Sequence, residues 1–574
     1  MAIAMGWRKP DNVAGSSAPA ISVGLFVATG GLLFGYDTGS INGILEMEAF
    51  RRDFATTLPI ENEIPEIESS QASLIVAILS AGTVFGALAS SPGADLIGRR
   101  LSLLVAIGVF SFGAIFQVCA DSIPILVVGR FFAGVGVGAV SVIVPIYQSE
   151  MAPKWIRGTL VCAYQLSITL GLLFAGVVNI LTSEMKNSAA YRIPLGLQLS
   201  WAGALAFGLL MMPETPRFLV KMGKKDAAAL SLSRLRRLDI THPALIEELA
   251  EMEANHAYEL SLGPGTYKDI FVGSPHLGRR TLTGCCLQML QQLTGVNFIM
   301  YYGTTFFSRA GVTSPFLISV IINLVNVFST FPALWVIEAW GRRKLLIVGA
   351  IGMAAAQLLI ASFTSVAGQS LSNTSNKILV IFVSIYVFFF AASWGPTVWV
   401  VTSEIYPLKV RAKAMSVSTS SNWLLNFAIA YGTPYMVGSG DGNADMGSKI
   451  FFLWGSFCII AIFFVWFMVY ETSRISLEQI DEMYERIDYA WSSSRFEPSW
   501  SFQQLQNQGW SDSGVPPVDL DSLQPTTSQA SSTSTTQNSS IEPDFTTTAT
   551  NTTTVSQNTD RKMLAQMAHV DFSY

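Results

Sequence analysis

Apolar residues in this chain run on in blocks, with polar residues gathered between them. The stretch "ILVVGRFFAGVGVGAVSVIVP" from Ile125 holds one charge among twenty-one residues. About 20 apolar residues in a helix span the hydrocarbon core of a bilayer. Twelve blocks approach or exceed that length, near 21–44, 72–93, 101–120, 123–148, 158–182, 193–213, 281–308, 313–337, 345–368, 377–403, 413–436 and 448–470. The segment 214–280 between the sixth and seventh is rich in Lys, Arg and Glu. Its "KKDAAALSLSRLRRL" and "PALIEELAEMEANHAYEL" have helical spacing but no span-length apolar run, which predicts two or three short amphipathic helices. From about Ser492 the chain is Ser-, Thr-, Gln-, Asn- and Pro-rich, so disorder is expected after about residue 491.

Composition agrees with a membrane protein. Half of the 574 residues are hydrophobic and 13% are charged, against roughly 25% charged in soluble domains. The net charge of −5 and the lack of a basic block argue against a nucleic-acid partner. The first apolar run is too long for a cleavable signal and is expected to remain as a span. Cys119, Cys162, Cys285, Cys286 and Cys458 lie in apolar runs, which predicts small buried hydrophobes. His242, His256, His276 and His569 all fall outside the spans. No metal set, cofactor motif or catalytic constellation emerges, and no enzymatic activity is expected.

Charge sets the topology. Arg99 and Arg100, Lys154 and Arg157, the central insert, Arg342 to Lys344, and Lys409 to Lys413 fall on alternate loops. The positive-inside rule places those loops, and both termini, in the cytosol. The acidic "ENEIPEIES" and the sequon at Asn373 then lie outside, making Asn373 a candidate for glycosylation. The sequons at Asn538 and Asn551 fall in the cytosolic tail and are discounted.

Two elements occur twice. "DLIGRR" at 95–100 matches "EAWGRR" at 338–343, pairing Asp95 with Glu338 and Arg99 with Arg342. "SEMAPKWIRG" at 149–158 matches "SEIYPLKVRA" at 403–412, pairing Glu150 with Glu404 and Arg157 with Arg411. The first element follows the second span of each half, and the second follows the fourth. The fold class is therefore all-α: a polytopic membrane protein of twelve helices in two pseudo-symmetric six-helix halves. The expected segments are 1–20 (cytoplasmic), 21–213 (first half), 214–280 (insert), 281–471 (second half) and 472–574 (tail). Parallel halves place a substrate site at the midplane between them. Anchoring by positive charge accounts for Lys154 and Lys409, but it needs no carboxylates. The repeated Glu/Arg sets are read as a cytoplasmic lock of charge-assisted pairs that holds the halves together and releases as they rock apart.

With "GRFFAGVGVGAVSVIVPIYQSEMAPKWIRG", "PETPRFLV" at 213–220, "QQLTGVNFIMYYG" at 291–303, both G-R-R elements and "ISLEQIDEM" at 475–483, the chain resembles the sugar porter family of the major facilitator superfamily. The resemblance covers about residues 20–485. "FGYDTGSINGI" and the long Ser/Thr tail are most similar to fungal hexose transporters. It departs from the family at Leu96, where Arg is usual, and at Ser473-Arg474, where Lys-Gly is usual. The resemblance implies a plasma-membrane monosaccharide carrier, for glucose or related hexoses, working by alternating access. It implies an architecture complete as a monomer. A non-transporting sugar sensor that signals through its tail is the alternative.

A sugar presents hydroxyls all round, so its site needs side chains that both donate and accept, plus aromatic surface. Amides are rare in spans because an unpaired one costs several kcal/mol in hydrocarbon. This chain places Gln165 in the fifth span, Gln291, Gln292 and Asn297 in the seventh, Asn326 in the eighth, and Asn422 and Asn426 in the eleventh. Helix–helix hydrogen bonding is the other use for such amides. Gln292 and Asn297 do not share a strict helical face, and a break at Gly295 lets both point inward. The resemblance implies sugar contacts at Gln165, Gln291, Gln292, Asn297, Asn326 and Trp399, with apolar walls at Ile168 and Phe390. Tyr301 and Tyr302 are read either as a gate or as packing.

Two charges lie within spans, Asp37 in the first and Arg130 in the fourth. Each costs at least about 2.5–3.5 kcal/mol at a bilayer centre, and pairing makes both far cheaper. They are read either as a proton-loading switch or as a static ion pair. In the family this resembles, Asp here accompanies proton symport in plants and bacteria, mammalian uniporters carry Asn, and fungal facilitators can keep Asp. Symport and uniport both stay open.

Overall fold

The computed structural model describes residues 14–55, 67–152, 156–261, 265–273, 276–309, 314–367, 373–407, 410–438, 442–473, 475 and 477–496. The second of two compact units, Val515–Tyr574, lies wholly outside them. So do the tail beyond Phe496 with its two sequons, most of the acidic outer loop, and the side chains of Asn373 and Arg157.

The first half comprises α1 (Ala18–Ala28) and α2 (Gly30–Ile44), which are one span kinked at Thr29. A short α3 (Glu48–Phe54) and the spans α4 (Ser69–Ile97), α5 (Arg99–Val118), α6 (Ile123–Met151), α7 (Arg157–Ser183) and α8 (Ala189–Met211) follow. Among the described residues the insert holds four helices rather than the expected two or three: α9 (Pro216–Lys221), α10 (Lys225–Arg236), α11 (Pro243–Ser261) and α12 (Asp269–Val272). It packs on the first half through Arg236, which grips Glu248 with two nitrogens and donates to Met151 O.

The second half repeats the plan. Its helices are α13 (Leu277–Leu293) with α14 (Val296–Arg309), α15 (Pro315–Trp340), α16 (Arg342–Ala367), α17 (Asn373–Phe389) with α18 (Gly395–Glu404), α19 (Arg411–Val437) and α20 (Ile450–Met468). The final α21 (Leu477–Arg486) and a short turn at Ala490–Arg495 fold back on it. Tyr470 OH donates to the Ile487 and Asp488 carbonyls, and Ser493 accepts from Glu471 N. The packed chain therefore runs a few residues past the expected onset of disorder.

Ten helices among the described residues are long and apolar enough to cross a membrane. The seventh and eleventh expected spans are not among them. The seventh is split at Thr294–Gly295, and the eleventh is dense in Ser and Asn. A transporter fold tolerates this because polar or broken helices face the interior rather than lipid. Small residues allow close packing. A side chain on Gly82 or Gly138 would sit 2.2 Å from a carbonyl oxygen of the facing helix in the α4–α6 pair. Of the cysteines, Cys162 and Cys458 are buried as expected. Cys285 and Cys286 are half-buried, and Cys119 is exposed because it caps the end of α5.

Candidate functional site

The break in the seventh span carries the richest polar cluster. Gly295 has φ of +83°, which L side chains rarely adopt, and a Cβ there would lie 2.5 Å from Trp454. The freed Thr294 carbonyl is satisfied by Gln357 Nε2 at 2.7 Å and Tyr386 OH at 3.0 Å. A second irregularity, a π-helical turn at Phe390–Trp394, precedes Gly395–Pro396. Proline lacks the N–H that would continue the ladder. Gln291 Nε2 donates to the Trp394 and Gly395 carbonyls at 2.9 and 3.2 Å. Two broken helices thus meet and repair one another's backbones.

The amides link across that junction. Gln292 Nε2 donates to Asn422 Oδ1 at 2.8 Å, and Gln292 Oε1 accepts from Asn297 and, at 3.1 Å, from Asn426. Asn422 Nδ2 donates to the side-chain oxygens of Gln288 and Gln291 at 2.8 and 3.0 Å. Asn426 Oδ1 accepts from Ser80 of α4 at 2.6 Å and from Tyr301 at 3.1 Å. This joins the two halves. Gln288 was missed in the sequence: it lies one turn from Gln291 and Gln292 on the same helix and is fully buried.

The other expected residues differ in burial and partners. Asn326 on α15 is buried, and its Oδ1 has no partner. Gln165 on α7 is half-buried, with Nε2 3.5 Å from the Cβ position of Gly395. Phe390 is buried within the π-helical turn, Ile168 is buried against Gly31 and Gly35 of α2, and Trp399 is partly exposed. Tyr302 OH donates to Ala430 O at 2.7 Å, so both tyrosines tie α14 to α19.

Asp37 and Arg130 are fully buried with Nη2 to Oδ2 at 3.5 Å. The pair is under-satisfied. Arg130 Nε and Nη1 have no partner, and the Gln198 amide lies beside the Asp37 carboxylate. Such groups in a low-dielectric interior are costly unless water or a proton completes them.

At the charged end, each half builds the same cluster. Arg99 contacts Asp95 at 3.4 Å and Glu150 at 3.0 Å. Arg342 contacts Glu338 at 2.9 Å and Glu404 at 3.0 Å. The sequence did not reveal the carboxylates that cap the following helices. Glu214 accepts from the Arg99 and Arg100 N–H groups, and Glu471 from those of Arg342 and Arg343. Burial pushes the Glu214 carboxyl above its usual range against those backbone donors. Gly98 and Gly341 have φ of +93° and +85°, and a Cβ on either would lie 2.6 or 2.5 Å from the capping carboxylate. Thr215 and Thr472 complete the sets by donating to Glu150 and Glu404 at 2.5 and 2.7 Å. The missed signal is the recurrence of Glu-Thr-x-Arg at 214–217 and 471–474.

Among the described contacts, Glu150 and Glu404 each meet the G-R-R arginine of their own half, which starts the neighbouring helix, and Arg411 donates to Tyr406 O. The Arg157 side chain of the expected lock lies outside the described residues. The halves do approach here, since a Cβ on Gly158 of α7 would lie 3.0 Å from Glu338 Oε1 of α15.

Residues 23–484 match the family model described as "Sugar (and other) transporter". The chain belongs to that family. It is similar to "Probable glucose transporter rco-3" of Neurospora crassa, at 68% identity over 91% of this chain and 89% of the relative. It is also similar to "High glucose sensor RGT2" of Saccharomyces cerevisiae, at 40% identity over 84% of this chain and 62% of that one. Among solved structures, the MFS proton:xylose symporter XylE of E. coli bound to 6-bromo-6-deoxy-D-glucose matches with a TM-score of 0.70. Its identity is 26%, and the match covers 82% of this chain and 99% of XylE. This family member is a multi-pass membrane protein with the twelve-helix major facilitator fold.

Proposed function

We propose that this transporter carries glucose or related hexoses across the plasma membrane by alternating access. One observation carries the reading: six interlinked amides, Gln288, Gln291, Gln292, Asn297, Asn422 and Asn426, at the junction of two broken helices inside a bilayer-spanning bundle. Such groups exchange donors and acceptors with a ring of sugar hydroxyls, and the unpaired Asn326 Oδ1 is a further acceptor. Gln165, Ile168, Phe390 and Trp399 complete the walls, and Tyr301 and Tyr302 gate the site through α19. The functional halves span about 21–213 and 281–471. Both termini lie in the cytosol, following the basic loops, and one copy suffices. Radiolabelled glucose uptake in cells lacking their own transporters tests it; absence of saturable uptake with normal surface expression overturns it.

The Asp37–Arg130 pair couples uptake to a proton. The unfilled donors of Arg130 support that reading, because a proton gained or lost at Asp37 changes which groups in the network donate and which accept. A uniporter with a static pair is the competing outcome. The 40% identity to the glucose sensor favours one further reading, a receptor that keeps the site and signals through the tail. Loss of a glucose-dependent transcriptional response on deletion, without any uptake by the protein, would select it.

A further inference from the structure

The two G-R-R elements are built alike, but their outer flanks are not. In the first half, Arg100 reaches back to the Leu209 and Leu210 carbonyls at 2.9 and 2.8 Å, flanked by exposed Ile97 and Leu101. In the second half, Arg343 donates to Trp466 O at 2.9 Å and stacks 4.8 Å over its ring. The positions of Ile97 and Leu101 are taken by Trp340 and Lys344. The turn at Ala490–Arg495 then folds in front and adds Trp491 and Arg495.

The result is a cleft of about 690 Å³ between the end of α15, the start of α16, the end of α20 and that turn. Three cations line it. Arg343 is only 8% exposed, and its buried Nε has no hydrogen-bond partner. Among the described ion pairs, none involves Arg343, Lys344 or Arg495. The nearby carboxylate, Glu471, is occupied by the N–H groups of Arg342, Arg343 and Ser473. Trp340, Trp466 and Trp491 are exposed, as are Val348, Ile351 and Phe467 beside them. Tryptophan is the residue of the membrane–water interface, and the exposed apolar strip below is a face that lipid tails cover.

We propose that this cleft binds the anionic headgroup of a membrane phospholipid. The phosphate sits against Arg343, whose guanidinium lines the cleft with no ion-pair partner among the described residues. Lys344 and Arg495 hold the second negative group, and Ser492 and Ser494 supply hydroxyls. The acyl chains run along α16 and α20. A bound lipid braces the terminal turn against the second half, and the first half lacks the counterpart because its flanks are aliphatic. The proposal rests on the proposed topology only for which leaflet supplies the lipid.

Native mass spectrometry of the full chain in detergent tests it, with titration of dioleoyl phosphatidylserine or dioleoyl phosphatidylcholine. The wild type should bind the serine lipid roughly 30-fold more tightly at one site. Each cation near an anionic group is worth about fivefold, so Lys344→Gln with Arg495→Gln should weaken that lipid roughly 30-fold and leave the choline lipid unchanged. Lys224→Gln, a charge on the insert, should change neither. Equal affinity for the two lipids in the wild type overturns the proposal, as does an unchanged preference in the double variant. Millimolar inorganic phosphate should leave the serine-lipid adduct in place; its displacement makes the cleft a soluble-anion site and overturns the lipid assignment. Detergent binding does not depend on sugar transport, so failure here leaves the transport reading standing.

Discussion

The two halves of this transporter agree at the charged end and disagree in the interior. At the charged end the correspondence reaches single atoms. Gly98 and Gly341 share a positive φ, Arg99 and Arg342 share a pattern of carboxylates, and Glu214 and Glu471 cap equivalent helices. In the interior, the first half holds a lone buried ion pair and the second holds a network of amides. Under the proposed function the difference follows from the ligands, because a proton and a ring of hydroxyls require different groups.

The largest test of that division is Gln292→Ala. It leaves Asn297 and Asn426 without their shared acceptor, a loss of about 2–4 kcal/mol, roughly 30- to 1,000-fold in sugar affinity. Surface expression should stay normal, and binding to the purified protein measures it. An affinity within twofold of wild type would move the amide network from ligand binding to helix packing.

Asp37→Asn probes the other interior. One proton crossing 100 mV releases about 2.3 kcal/mol, enough for roughly 50-fold accumulation. The variant should keep exchange of a non-metabolised glucose analogue while its accumulation ratio falls to one. A wild type that only equilibrates the analogue under a maintained proton gradient is a uniporter, and the ion pair is then structural.

Glu150→Gln and Glu404→Gln test the conserved end. Each weakens the charged cluster that the expected lock closes between the halves, a charge-assisted contact of about 1.5 kcal/mol, so each should shift the ratio toward the inward-accessible form roughly tenfold. Two-sided accessibility labelling reads it. Opposite or grossly unequal shifts break the equivalence of the halves.

The smallest effect belongs to the tail. Truncation after Phe496 should change glucose uptake less than twofold, since the last described contacts with the second half come from the turn at Ala490–Arg495. Truncation before Trp491 removes part of the proposed lipid cleft and should cost more. Equal uptake in both would restrict that turn to a passive role.

The spans, the two-fold repeat and the residues worth watching are legible along the chain. Each rests on local chemistry: a hydrophobic run of bilayer length, a recurring Glu/Arg spacing, an amide where hydrocarbon penalises one. The break at Gly295 was legible too, because Gly stands between two amides that no single helical face could present. Only the tertiary structure decided the pairings. That Glu150 chooses Arg99, that Glu214 and Glu471 cap helices more than a hundred residues away, and that Gln288 joins the amides all depend on which helix ends lie side by side. The lipid cleft is the extreme case, with three segments each unremarkable alone. Sequence period says which face of a helix is apolar; it does not say which neighbour that face meets, and hydrogen bonds and ion pairs are fixed over distances of about 3 Å.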